Sequence, residues 1–355
     1  MYKRQIIEVL KDVRKLKNDL SFRIIDTHIH PIDVMGVVHY EEIVDECCHE
    51  DYLSPGILEK FNYSKLEKIG SRLYFKLFPR SVFSMIEHTY KKTNADRILE
   101  EMEASLADKS ILLSLDPWAP TENVGKKYSQ DTRFMLLGSV DIHNINLSEI
   151  ESTIKSYVDN YHIVGLKFHP NLQNFKPEPY KNGDEIAKKL RKIYETAAKY
   201  KLYVLFHGGI SNYTLKINRK YGYIERSRTN GLLENFCDKD GASELLSAYD
   251  IKVIIAHIGH YGMVNIDYRL IKKLSDKYSN LFFDTSGVST SVISRTLNII
   301  PSSKLIFGSD ALYNRIAYNI GCVYLAAKKC NNGETSGDIM GNILGRNFVN
   351  KFISV

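Results

Sequence analysis

An α/β (β/α)8 TIM barrel with a helical insertion after the first strand is the fold this sequence predicts, and three observations carry the prediction. Eight short apolar runs recur along the chain, amphipathic segments separate them, and 355 residues suffice for one barrel of about 250 residues plus insertions. The runs are continuously apolar rather than alternating, as parallel strands covered on both faces should be. A doubly wound open sheet is the structural alternative.

The chain begins MYKRQIIEVLKDVRKLKNDL, in which Ile6, Ile7, Leu10, Val13, Leu16 and Leu20 recur at helical spacing among charges. Residues 1–20 are therefore expected to form an amphipathic helix rather than a secretory signal. The first run, IIDTHIHP (24–31), follows. Residues 33–108 exceed what a barrel loop needs, and their YFKLFPRSVFSMIEHTYKKTNADRILEEMEAS reads as several helices forming a lid or the contact face of a homo-oligomer. The other runs are SILLSLDP (110–117), FMLLGSVDI (134–142), IVGLKFHP (163–170), LYVLFHGG (202–209), KVIIAHIGH (252–260), LFFDTSG (281–287) and KLIFGSDA (304–311). Segments such as GDEIAKKLRKIYETAAKY between them read as crossover helices. Residues 210–240, rich in Tyr, Arg and Asn, form a long loop after the fifth strand. Pro and Gly are too scattered to mark a linker, so residues 1–355 are expected to form a single domain.

Composition narrows the function. A net charge of +6 is mild, and the basic residues mostly alternate with acids, so no nucleic-acid partner is expected; the balance is compatible with a small, anionic substrate, although solvated helix faces explain most of it. No run of about eighteen apolar residues occurs, which argues against a membrane span. Five cysteines without framework spacing are simplest as reduced thiols in a cytoplasm.

His28 and His30 stand two apart, so on a strand their rings leave one face and can share an ion. A closed zinc site needs about four ligands, so the other strand ends must supply them. Active sites of such barrels sit where the strands end. Collecting the polar residues there gives Lys167 and His169 at the fourth strand, His207 at the fifth, His257 with His260 behind it at the sixth, and Asp310 at the eighth. Imidazoles with one carboxylate are the ligand types of a catalytic divalent ion, zinc first among them.

DTHIHP, GLKFHP, LFHGG, IIAHIGH, FDTSG and IFGSDA, with IMGNILGRNFVNKF as a closing helix, give the chain a close resemblance to the amidohydrolase-related branch of the amidohydrolase superfamily, across residues 23–353 apart from the insertion. That resemblance implies His28, His30, His207 and Asp310 as metal ligands, Asp310 also handling a proton. His257 is implied as a second-metal ligand or as a group that polarises water or substrate. It implies for Lys167 either a carbamylated bridge between two ions or contact with substrate. The branch includes hydrolases and nonoxidative decarboxylases. A metal-dependent hydrolase acting with metal-activated water on an amide, lactone or ester-like small molecule is the favoured expectation, with a decarboxylase of a small carboxylic acid and a noncatalytic metal-binding protein as alternatives.

Each residue has a plainer use. Asp310 also suits a helix N-cap ahead of ALYNRIAYNI, and Lys167 a lysine that snorkels from a barrel mouth. His169, Asn171 and Trp118 follow strands and are candidates to line a substrate pocket, as are Asp116 and His143, although loop packing explains each singly. Arg226 and Arg228 suit a substrate carboxylate or a solvated loop. In ECCHE (46–50), the adjacent Cys47 and Cys48 before His49 lack zinc-finger spacing and are discounted. Gly208 and Gly209 give no dinucleotide fingerprint.

Overall fold

The computed structural model describes residues 3–47, 49–56, 70, 73–74, 77–211, 227–263, 265–330 and 332–353. Eight parallel strands follow one another in sheet order: β1 (Ile25–Ile29), β2 (Lys109–Leu113), β3 (Phe134–Gly138), β4 (Gly165–Phe168), β5 (Tyr203–Phe206), β6 (Val253–Ile255), β7 (Leu281–Asp284) and β8 (Leu305–Ile306). This is the (β/α)8 barrel architecture. Among the described residues no helix is long and apolar enough to cross a membrane.

By proximity the chain divides into two compact units, residues 1–33, 37–112 and 284–355 in one and residues 34–36 and 113–283 in the other. In the first, β1 pairs with β2, and Thr27 N–H donates to Phe307 O at 3.0 Å beside β8. Thr285 N–H, just past β7, donates to Ile306 O at 3.0 Å. The helix Lys3–Asp19 buries Ile6, Val9, Leu10 and Val13, a stripe at helical period. The part of residues 33–108 that is described includes the helices Pro79–Tyr90 and Ala95–Ser105. Asn94 caps the latter, its side chain accepting from Arg97 N–H at 3.1 Å.

In the second unit β3 to β7 pair in register, Lys167 opposite Leu205 and Phe206 opposite Ile255. Every residue of β4, β5, β6 and of β7 up to Phe283 is buried, as strands covered on both faces require. The helix Asp184–Lys199 opens with two acids, ends in Lys199 and buries Ala187, Leu190, Ile193, Tyr194 and Ala197 on one side.

The strands are shorter than the apolar runs that announced them. KVIIAHIGH is strand only at Val253–Ile255, then turns through His257 (φ 58°) and Ile258 (φ 52°). KLIFGSDA is strand only at Leu305–Ile306 and turns at Asp310 (φ 65°). Left-handed backbone at non-glycine residues is costly and concentrates where a site must aim a side chain. Hydrophobicity continued past the hydrogen-bonded ladder because these turns are themselves buried.

Candidate metal centre

In the first unit β1 delivers His28 and His30 and the turn after β8 delivers Asp310. The two imidazoles place Nε2 atoms 3.2 Å apart. Asp310 Oδ1 lies 3.6 Å from His28 Nε2 and 3.7 Å from His30 Nε2. All three residues are buried. Ligand atoms held at about 2.0 to 2.2 Å by one tetrahedral ion stand roughly 3.4 Å apart, so the observed spacings bracket what a divalent cation requires, and the donor set fits one.

The orientation of His28 is fixed from behind. Its Nδ1 lies 2.8 Å from Asp284 Oδ2 and 3.2 Å from Ser286 Oγ. Asp284 accepts from Ser286 N–H at 3.0 Å and from the Ser286 hydroxyl. A carboxylate at Nδ1 keeps the proton there and turns a basic Nε2 toward the cluster, the usual support of a metal-bound histidine. Gly308 makes room: a Cβ there would lie 2.8 Å from His28 Cβ and 3.2 Å from Ser286 Cβ.

Asp26 stitches the ends of β1 and β8 together. It accepts from His28 N–H at 3.1 Å, from Ser309 N–H at 3.0 Å and from Ser309 Oγ at 2.5 Å. Burial pushes its carboxyl up to about 7 against the lowering pull of those bonds. Asp310 N–H donates to His28 O at 2.8 Å, and Asn314 Nδ2 donates to Asp310 Oδ2 at 3.2 Å. The N-cap reading of Asp310 is corrected: the following helix is Ile316–Lys329, with Arg315 at its cap position. Four residues, Ala311–Asn314, intervene because the chain first turns back through Asn314 N–H to Asp310 O at 3.0 Å.

The second unit gathers a different set. His169 after β4 stacks on His207 after β5, ring centroids 3.8 Å apart and planes 10° apart. His207 Nδ1 lies 3.2 Å from His257 Nε2, and Tyr261 packs its ring against both, at 5.3 and 4.7 Å. Leu172 N–H donates to His169 Nδ1 at 3.2 Å, which leaves the proton of a neutral His169 on Nε2. Gly209 (φ 114°) lets the chain after His207 approach the turn after β6, where a Cβ would meet Tyr261 N at 2.3 Å.

Lys167 is fully buried on β4, which removes its reading as a lysine reaching solvent. Asn171 donates to Arg228 O at 2.7 Å and Gly209 O at 3.3 Å, and so ties two loops together. Trp118 is buried, and His143 Nε2 donates to Gln173 O at 2.6 Å. Burial pushes the Asp116 carboxyl well above its ordinary range. Arg228 is exposed, as a solvated loop charge is, and Arg226 lies outside the described residues.

Two positioning residues escaped the sequence reading. Asp284 was visible within FDTSG as a polar residue ending an apolar run, the signal that selected the other candidates, but nothing local tied it to His28. Gln173 had no such signal: its side chain accepts from His169 N–H at 2.9 Å and donates to Asp116 O and Val140 O at 3.0 and 3.2 Å, joining three strand ends.

The sequence matches the family model described as Amidohydrolase over residues 135–330, more than half of the chain. The chain belongs to the amidohydrolase family. Among curated proteins no sequence matches this amidohydrolase. Its fold is shared with a 5-carboxyvanillate decarboxylase from Novosphingobium aromaticivorans complexed with manganese and 4-hydroxy-3-methoxy-5-nitrobenzoic acid (TM-score 0.56, 14% identity, 93% of this chain and 96% of that one). It is shared also with a probable 2-pyrone-4,6-dicarboxylic acid hydrolase from Acinetobacter baumannii with citric acid bound (0.51, 12%, 93% and 99%). A uronate isomerase from Bacillus halodurans matches similarly (0.55, 11%, 99% and 96%). At such identities the likeness is one of fold.

Proposed function

We propose that this amidohydrolase is a metal-dependent hydrolase of a small, anionic carbonyl compound, an amide, lactone or ester. The observation that supports it is the triangle of His28 Nε2, His30 Nε2 and Asp310 Oδ1 with sides of 3.2, 3.6 and 3.7 Å. His28, His30 and Asp310 would hold the ion; His207 joins them on the resemblance alone. Imidazole and carboxylate donors favour zinc, and the manganese in the decarboxylase structure makes that ion the second candidate. A divalent cation held there would lower the pKa of water to about 7 and polarise a carbonyl oxygen. Asp310 accepts the proton of the attacking water at its carboxylate and returns it to the leaving group. Asn314 steadies that carboxylate at Oδ2, and Asp284 keeps His28 in the tautomer that leaves Nε2 basic. His257 orients water or substrate.

Nonoxidative decarboxylation of a small carboxylic acid is the second reading, favoured by the fold relatives named as decarboxylases. Turnover of candidate lactones, amides and carboxylated aromatics in ¹⁸O-labelled water separates the two. Label in a product carboxylate supports hydrolysis; carbon dioxide with solvent hydrogen on carbon overturns it in favour of decarboxylation. Protein never exposed to chelator and yet devoid of divalent ion by elemental analysis would overturn both.

A further inference from the structure

A second group of ligands lies in the segment after β1. Cys47 Sγ stands 3.8 Å from His49 Nδ1, and His49 Nδ1 stands 3.0 Å from a carboxylate oxygen of Glu100. The three ligand atoms lie within 4.8 Å of one another. A thiolate at about 2.3 Å and an imidazole at about 2.0 to 2.1 Å on one tetrahedral ion stand roughly 3.6 Å apart, close to the observed spacing. Tyr52 donates its hydroxyl to Glu100 Oε2 at 3.0 Å and so orients the carboxylate from outside the group. The group is accessible: the His49 side chain is 78% exposed and that of Glu100 35%.

We propose that Cys47, His49 and Glu100 form a second, surface cation site of the zinc class, distinct from the strand-end cluster, with a position open to water. One sulfur, one nitrogen and one oxygen donor suit a borderline-soft ion, whereas magnesium and calcium take oxygen shells. Burial and the Glu100 charge push the Cys47 thiol up. Binding therefore releases its proton to solvent, with no change of oxidation state. The site also sits on a frame. His49 precedes Glu50 and Glu100 precedes Glu101. Glu50 and Glu101 both hold the Arg315 guanidinium, and Glu101 Oε1 accepts from Ile316 N–H at 3.1 Å. A cation bridging His49 and Glu100 would brace the two backbones that grip the start of the helix Ile316–Lys329.

Cobalt titration of the full chain tests this, in a C48A/C330A background so that the adjacent cysteine in sequence and the partly exposed Cys330 do not report. His28, His30 and Asp310 contain no sulfur, so sulfur-to-cobalt charge-transfer absorption reads Cys47 alone. The expected result is a band that zinc displaces, that persists in H28A and disappears in C47S. Zinc affinity, read by competition with a chromophoric chelator, should weaken by about tenfold or more in H49A and in E100Q. Absence of the band in the background protein, its survival in C47S, or unchanged zinc affinity in both H49A and E100Q would overturn the site. Cys47, His49 and Glu100 are at least partly exposed, and matched melting curves verify that each variant is folded.

Discussion

Both units of the chain place histidines at strand ends, but they surround them differently. In the first, His28 has Asp284 at Nδ1, and Nε2 of both His28 and His30 faces Asp310. In the second, His169, His207 and His257 meet one another, Tyr261 and backbone groups. Among the described residues, the two groups of three ligand atoms that all lie within 4.8 Å of one another are in the first unit. The carboxylates of Asp284 and Asp310 give the first group its character: a carboxylate raises the basicity of an imidazole and offsets the charge of a cation.

Asp310→Asn is the strongest way to break this contrast. The amide can neither accept nor return a proton, so turnover should fall roughly 10²- to 10⁴-fold in steady-state assays; retention of nearly full activity would remove Asp310 from the chemistry. Next comes Asp284→Asn, which deletes no ligand. Metal affinity measured by chelator competition should weaken by roughly 10- to 100-fold, and an unchanged affinity would assign Asp284 to the barrel framework only. Lys167→Ala probes the second unit: ion content per chain should stay the same, and loss of one of two ions would instead reveal a carbamylated bridge there.

The smallest effect on activity should come from Glu50→Gln, whose consequence is stability. Burial pushes the Glu50 carboxyl up, but Arg97 and Arg315 outweigh it and hold it below the ordinary value of 4.5. A carboxyl depressed in the folded chain contributes stability above its unfolded pKa and loses it as pH falls. The variant should therefore unfold about 2 to 4 kcal/mol more easily at pH 7, with the gap to the parent closing as pH drops below about 4.5. A gap that does not change with pH would mean that packing, not charge, is lost.

Much of this was legible before any coordinates. Eight apolar runs located the eight strands, the two-residue spacing of His28 and His30 put both rings on one face, and Asp310 stood out as a carboxylate ending the last run. What local pattern could not supply was long-range pairing. Asp284 is 256 residues from His28, and no periodicity says which strand end a carboxylate will back. Cys47 and His49 were set aside because finger spacing presumes ligands from one segment, whereas the third member, Glu100, arrives on a helix. The buried turns at His257 and Asp310 looked like strand because burial, not hydrogen bonding, is what an apolar run records.

The Asp26 stitch has a consequence for how the ion is acquired. With His28 N–H, Ser309 N–H and Ser309 Oγ all bonded to one carboxylate, and Asp310 N–H bonded to His28 O, the ordering that a loose site undergoes on capture is completed when the barrel folds. Preorganisation of this kind lowers the cost of binding and separates loading from folding, unlike small zinc domains that collapse only around their metal. The metal-free chain should keep its fold and take up its ion with little heat-capacity change.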